Sequence, residues 1–285
     1  MGDNRLLRAV ERFTEVMAGA DEERLARSWA WGTYSEGTRF AFFRTCEELR
    51  ELTVRVASVR RAQQREMNGA QHILAQYHAA YRDLQAALLG LSDEDVTRAP
   101  AEGEWPVSVA VGHMVGADAG FLVVCAYALE QHRAGAHEPG EPPEAFWITT
   151  LGDESGFEAV MGGPFSDLLA YHDLLHERVL GALGGITDSE LELPSRYWEG
   201  EPLPLRFRLH RFESHLRQHT VQVDKTLAAI SRGPSEALRL TRLVYAALAE
   251  AEGASLGAED VLEDERACVA AGIEARADEL AEVVR

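Results

Sequence analysis

The chain has 285 residues, of which 46% are hydrophobic, so it is long enough to bury a core in one large domain or two smaller ones. Its formal net charge of −19 repels phosphate, which argues against nucleic acid or an anionic membrane surface as a partner. No signal-peptide pattern begins the chain, and the longest uninterrupted apolar stretch, Phe121 to Leu129, is short of the roughly 20 residues that span a bilayer. We therefore expect a cytoplasmic protein without a membrane segment.

Apolar residues recur at three- and four-residue spacing along most of the chain, and alternating β-branched runs are rare. This pattern predicts an all-α fold. Ser92 to Asp95 and Thr187 to Glu190 are typical of helix N-caps. The predicted helices, in chain order, are 5–18, 21–30, 39–64, 67–90, 106–132, 164–184, 204–231, 235–252 and 258–284.

These helices divide into three consecutive segments. Residues 1–66 form an N-terminal helical extension whose aromatic residues indicate a core or an interface: Trp29, Trp31, Tyr34, Phe40, Phe42 and Phe43. Residues 67–232 contain a four-helix bundle. Its second connection, Gly135 to Gly163, is long and rich in Gly, Pro and Glu, and is placed to cover a site. Residues 233–285 form an acidic, Ala-rich C-terminal helical extension.

The three cysteines do not predict a site. Cys46, Cys125 and Cys268 are an odd number without CxxC spacing, which argues against a disulfide framework and against a thiolate zinc site. Cys125 lies within the longest apolar stretch. We expect it to be a buried packing residue and not a nucleophile.

Two pairs of histidines have the spacing of a helical metal site. His215 and His219 are four residues apart, so their side chains share one helix face, and His172 and His176 have the same spacing. Spacing alone leaves the two pairs as rivals. It also leaves open that each pair consists of polar histidines without a metal.

The surrounding residues distinguish the pairs. The segment from Phe212 to Gln222 has the pattern HxxxHxxQ, and Trp105 precedes His113 by eight residues. Both patterns resemble the DinB-like superfamily, in which the second bundle helix begins W-S-x6-H and the fourth carries HxxxHxxQ. The resemblance covers residues 67–232. Pro106 stands where the family usually has serine, a change that the first turn of a helix tolerates.

The resemblance implies a metal site made by His113, His215 and His219. Three imidazoles leave part of the coordination of Zn²⁺ or Ni²⁺ open, where a thiol can be held as thiolate or a water molecule activated. We consider Asp118 and Gln222 as residues that orient the imidazoles or a bound water, and His210 as a residue behind the ligands or at the entrance.

The superfamily includes thiol-dependent S-transferases and mycothiol-dependent maleylpyruvate isomerase-like proteins. The resemblance thus implies a metal-dependent enzyme that transfers or uses a low-molecular-weight thiol, or that hydrolyses a small substrate. The alternative is a non-catalytic metal-binding module for stress response or interaction. The resemblance also implies a homodimer, with the aromatic N-terminal segment as a contact surface.

Overall fold

A computed structural model describes residues 4–136, 140–152 and 154–285, and it confirms the predicted all-α class, since 71% of the chain is helical. The chain divides into two compact units. We call residues 4–66, 82–91 and 232–285 the terminal unit, and residues 67–81 and 92–231 the bundle unit. The two predicted extensions, 1–66 and 233–285, thus fall in one unit. The same unit contains residues 82–91, which the sequence analysis had assigned to the bundle.

The terminal unit is a helical assembly in which α3 (Arg39–Ala62) packs against α11 (Glu236–Ala254), and α1 (Arg5–Met17) packs against α12 (Glu263–Val283). Its core includes Phe13 and Phe42, whose rings meet edge to face with centroids 5.1 Å apart. Its elements are α1 (Arg5–Met17), α2 (Glu22–Ala26), β1 (Ser28–Trp31), β2 (Tyr34–Gly37), α3 (Arg39–Ala62), the end of α4 (Gly69–Leu88), α11 (Glu236–Ala254) and α12 (Glu263–Val283).

The helix predicted at 21–30 ends at residue 26, so the prediction is wrong for residues 27–30. The chain ends α2 there and forms an antiparallel hairpin, β1–β2, in which Trp31 pairs with Tyr34. Gly32 supplies the positive φ of 58° at the first turn position, where glycine avoids a steric cost. Trp31 and Tyr34 remain 38% and 57% exposed, and dimerisation through this aromatic surface stays a prediction.

The four helices expected from the sequence are present in the order α4, α6 (Val107–Arg133), α9 (Phe165–Leu183) and α10 (Leu205–Ala229), and the bundle unit contains the last three together with the start of α4. Helix α6 packs against both α9 and α10. The elements of the unit are the start of α4, α5 (Asp93–Thr97), α6 (Val107–Arg133), α7 (Glu144–Leu151), α8 (Glu154–Met161), α9 (Phe165–Leu183), a 3-10 turn (Glu190–Glu192), β3 (Pro194–Ser195), β4 (Leu203–Pro204) and α10 (Leu205–Ala229). Strands β3 and β4 pair in an antiparallel hairpin.

Of the two predicted N-caps, only the first begins an α-helix. Ser92 begins α5 with a capping box to Asp95, and Thr187 exchanges equivalent bonds with Glu190, although only a 3-10 turn follows. The connection from Gly135 to Gly163 is more ordered than its composition predicts, because it contains α7 and α8. Its residues 137–139 and 153 lie outside the described residues.

Helix α6 is the central element of the bundle unit. By length and composition alone it is apolar enough to cross a membrane, with a mean hydropathy of 1.7 over an 18-residue window. However, 72% of that window is buried inside the protein, as in the core helix of a folded domain. Helix α6 is buried because it packs against α9 and α10. This packing determines which side chains of α6 face α10.

Candidate metal centre

Helices α6 and α10 bring together three histidines that are distant in sequence. His113 lies on α6, and His215 and His219 lie on successive turns of α10. One ring nitrogen from each of the three lies within 4.8 Å of the others. The Nε2 atoms of His113 and His215 are 3.1 Å apart. The convergence predicted from the sequence is thus present in the fold, while metal binding by these residues remains a prediction.

The three side chains differ in their exposure. His215 and His219 are only 6% and 7% exposed, whereas His113 is exposed. Burial and, to a lesser extent, the neighbouring His219, His113 and Arg211 together lower the pKa of His215 to about 3. Burial also lowers the pKa of His113. Both rings are therefore neutral near pH 7, which is the state that binds metal ions, and the set keeps one accessible side.

Gln222 fixes the orientation of one ring. Its Oε1 atom lies 2.8 Å from Nδ1 of His219, so Nδ1 must donate a proton to the amide oxygen. That tautomer leaves the lone pair of Nε2 available to a metal ion. The role considered for Gln222 from the sequence thus has a structural basis. His210 is exposed on α10 and makes no hydrogen bond, ion pair or ring contact to a described residue.

Asp118 contacts none of the three histidines, which differs from the expectation for this residue. It is fully buried, and its Oδ2 accepts hydrogen bonds from Tyr77 at 2.8 Å and from Nε2 of His172 at 3.2 Å. Five residues beyond His113 correspond to about 140° of rotation around a helix, so Asp118 points to the bundle interior. Burial raises the pKa of this carboxyl group.

The rival pair belongs to the same interior network. His172 and His176 are 2% and 4% exposed, so they are not the partly exposed polar histidines that were the alternative to a metal site. His176 Nε2 lies 2.9 Å from Nδ1 of His78. Among the described residues, only His113, His215 and His219 meet as a group with the spacing of metal ligands. The structure therefore places His172 and His176 in a buried hydrogen-bonded network, and not in a group with the geometry of a metal site.

A cavity of about 470 Å³ opens beside His113. Its walls are mainly apolar, and none of the described residues that line it is acidic. Met161, Gly162 and Gly163, at the end of the long connection, line it together with Trp105 and Phe165. The connection thus covers one side of the site, as the sequence suggested.

The other side of the three histidines is lined by residues that the sequence did not indicate as part of a site. Phe121, two turns beyond His113 on α6, has its ring centroid 6.2 Å from that of His215. The β3–β4 hairpin places Tyr197 and Trp198 against Phe121. A side chain at Gly120 would collide with the hydroxyl group of Tyr197, so glycine is what lets the hairpin approach α6.

A buried arginine holds this hairpin in place. Arg208 is fully buried, donates to Ser195 Oγ at 3.1 Å and forms a two-point ion pair with Glu199. Its guanidinium group also lies 5.9 Å from the rings of Tyr197 and Trp198. The only sequence sign of this arrangement is the concentration of aromatic and charged residues between positions 195 and 208.

Comparison with known proteins gives one family. The family model of the DinB superfamily matches residues 76–223, slightly more than half of the chain, and the match includes all three histidines. No curated protein and no solved structure matches the chain significantly.

Proposed function

The chain belongs to the DinB superfamily, and on that premise we propose that His113, His215 and His219 bind a divalent metal ion at the centre of a thiol-transferring enzyme. The observation that carries this proposal is the convergence of three ring nitrogens within 4.8 Å on two packed helices. The exposed side of His113 and the adjoining cavity leave room for a ligand that the protein does not supply.

The donor set fits Zn²⁺ or Ni²⁺. Neutral imidazoles bind both ions, and a site with three protein ligands keeps an open position, as catalytic sites do. The low pKa of His215 keeps its ring deprotonated, and Gln222 directs the Nε2 lone pair of His219 towards the centre. When bound, the ion would make a nucleophile available near neutral pH by favouring the ionised form of a thiol or of water.

The surroundings favour a thiol over water as the nucleophile. The cavity beside His113 is mainly apolar, which suits an uncharged electrophile. An unperturbed thiol has a pKa of about 8.5 and water one of about 15.7, so the same ion would leave a larger fraction of a bound thiol ionised at neutral pH. We therefore place transfer of a low-molecular-weight thiol ahead of hydrolysis.

No cysteine of the chain competes for this role at the site. Cys125 is completely buried three turns beyond His113 on α6, and burial raises its pKa to about 12. A thiol with so high a pKa is almost entirely protonated at neutral pH and is a poor nucleophile. The reacting thiol is then a second small molecule.

The experiment is metal analysis followed by turnover. The purified protein is expected to hold one zinc or nickel ion per chain, and to join a low-molecular-weight thiol to a small electrophile in a reaction that chelation abolishes. Turnover without added thiol would indicate hydrolysis. Stoichiometric metal without turnover on a panel of thiols and electrophiles would favour the non-catalytic module. A folded protein without bound metal, even after reconstitution, would refute the proposal.

A further inference from the structure

Arg211 lies on the same side of α10 as the two buried histidines. Arg211, His215 and His219 follow one another at four-residue spacing, so each is one turn, about 6 Å, from the next. The guanidinium group of Arg211 lies 5.9 Å from the ring of Phe121, which in turn contacts His215. The arginine therefore lies along the wall that continues from the histidine cluster.

This guanidinium group has unused hydrogen-bonding capacity. Its one polar contact to a described residue is a long bond of 3.4 Å to Ser214 Oγ, and it forms no ion pair with a described carboxylate. Glu199 on the neighbouring hairpin binds Arg208 through both of its carboxylate oxygens, and the charge of Arg211 lowers the pKa of Glu199 without a hydrogen bond between these two residues. A half-buried guanidinium with free donors is suited to a planar anion from outside the chain.

The local charge supports the same conclusion. The three histidines are neutral ligands, so a divalent ion among them would keep its full double charge, and Arg211 adds a positive charge one turn away. This region would be positive in a protein whose net charge is −19. A field of this kind attracts anionic ligands and orients them.

We propose that Arg211 binds the carboxylate of an anionic thiol whose sulfur lies at the metal centre, with Phe121 and Trp198 flanking the intervening atoms. This inference rests on the proposed thiol chemistry and adds the charge of the thiol. It assigns the two sides of the centre different roles. The Arg211 side holds the thiol, and the cavity beside His113 receives the electrophile.

The test compares two probes that differ only in charge, 3-mercaptopropionate and 3-mercaptopropionamide. Binding to the cobalt-substituted protein is measured from the cobalt absorption bands, at low ionic strength. We expect the acid to bind about tenfold more tightly than the amide, the gain typical of a charge-assisted hydrogen bond. In Arg211→Gln most of this preference should be lost, because only the charge of the metal ion then distinguishes the two probes.

Arg217→Gln is the matched control, because Arg217 is an exposed arginine on α10 that pairs with Glu213. It should keep the full preference. Arg211→Lys should keep part of it, since it retains the charge but loses the planar donor pair. Equal binding of both probes to the unchanged protein, or a preference that is undiminished in Arg211→Gln, would overturn the inference while leaving the thiol chemistry intact. If neither probe changes the cobalt spectrum, the proposed function fails and this inference fails with it.

Discussion

The Nε2 atoms of His113 and His215 lie 3.1 Å apart although 102 residues separate them in sequence. Two nitrogens bound to one tetrahedral zinc ion at 2.0–2.1 Å are about 3.3 Å apart, so the observed separation is close to that of two ligands of one ion. The buried residues beside them on the two helices, Met114 and Leu216, belong to the core. Core packing therefore preorganises the site.

Removal of one histidine should remove the metal. We expect His215→Ala to lose most of its bound metal, because two neutral imidazoles hold a divalent ion far less well than three. The measurement is metal content per folded chain after dialysis. His210→Ala is the matched control on the same helix and should retain the metal. Loss of metal from His172→Gln, with retention in His215→Ala, would show that the buried pair is the true site.

Gln222 should contribute to affinity without binding the ion itself. Gln222→Leu removes the acceptor for Nδ1–H of His219, and loss of such a partner typically weakens metal binding about 10- to 100-fold. Competition with a chromophoric chelator would measure the change.

Gln222→Glu keeps an acceptor at the same position and should bind metal at least as well as the unchanged protein. Equal affinity in Gln222→Leu and the unchanged protein would exclude an orienting role for this residue.

The sequence predicted the helices that carry the centre better than the features around it. Helical periodicity placed His113 on the second bundle helix and His215 and His219 on the fourth, because local spacing determines which residues share a helix face. The sequence also allowed the direction of the Asp118 side chain to be predicted. Asp118 follows His113 by five residues, and this spacing turns its side chain away from that of His113. Arg211, four residues before His215, was likewise available from spacing.

The two hairpins were not predictable in the same way. Strands β3 and β4 contain two residues each, too few to show alternation, and they are held by contacts with α6 and α10. Strand β1 has one buried residue, Trp29, and three exposed ones, so it shows no regular alternation. Such short strands depend on tertiary contacts more than on local preference.

Chelation should lower the melting temperature without unfolding the protein. A metal ion that binds the folded state at 100 times its dissociation constant adds about 2.7 kcal/mol of stability, which chelation removes. Differential scanning calorimetry with and without chelator measures the shift, and His113→Ala should show little shift. The apolar core of the bundle unit is built from side chains that stay buried without the ion. Complete unfolding on chelation would show a structural site instead of an open one.

Asp118 should make stability depend on pH. Burial raises the pKa of this carboxyl group in the folded state, so its favourable contribution is fully present below the unfolded value of about 3.9 and is lost as pH rises through the raised pKa. Asp118→Asn cannot ionise. The melting temperature of the variant relative to the unchanged protein should therefore increase from pH 4.5 to pH 8. A constant difference between the two proteins would refute this account.

Turnover should depend on His219 and not on Cys125. His219→Ala removes a candidate ligand and should abolish the thiol-transfer reaction, whereas Cys125→Ser should leave kcat/KM largely unchanged, because this thiol is fully buried and its pKa is raised to about 12. Since a hydroxyl group in an apolar interior can itself destabilise the fold, Cys125→Ala provides a second, apolar replacement. Rates are compared at equal concentrations of folded protein. Loss of activity in both Cys125 variants, with activity retained in His219→Ala, would transfer the chemistry to a protein thiol and overturn the proposed mechanism.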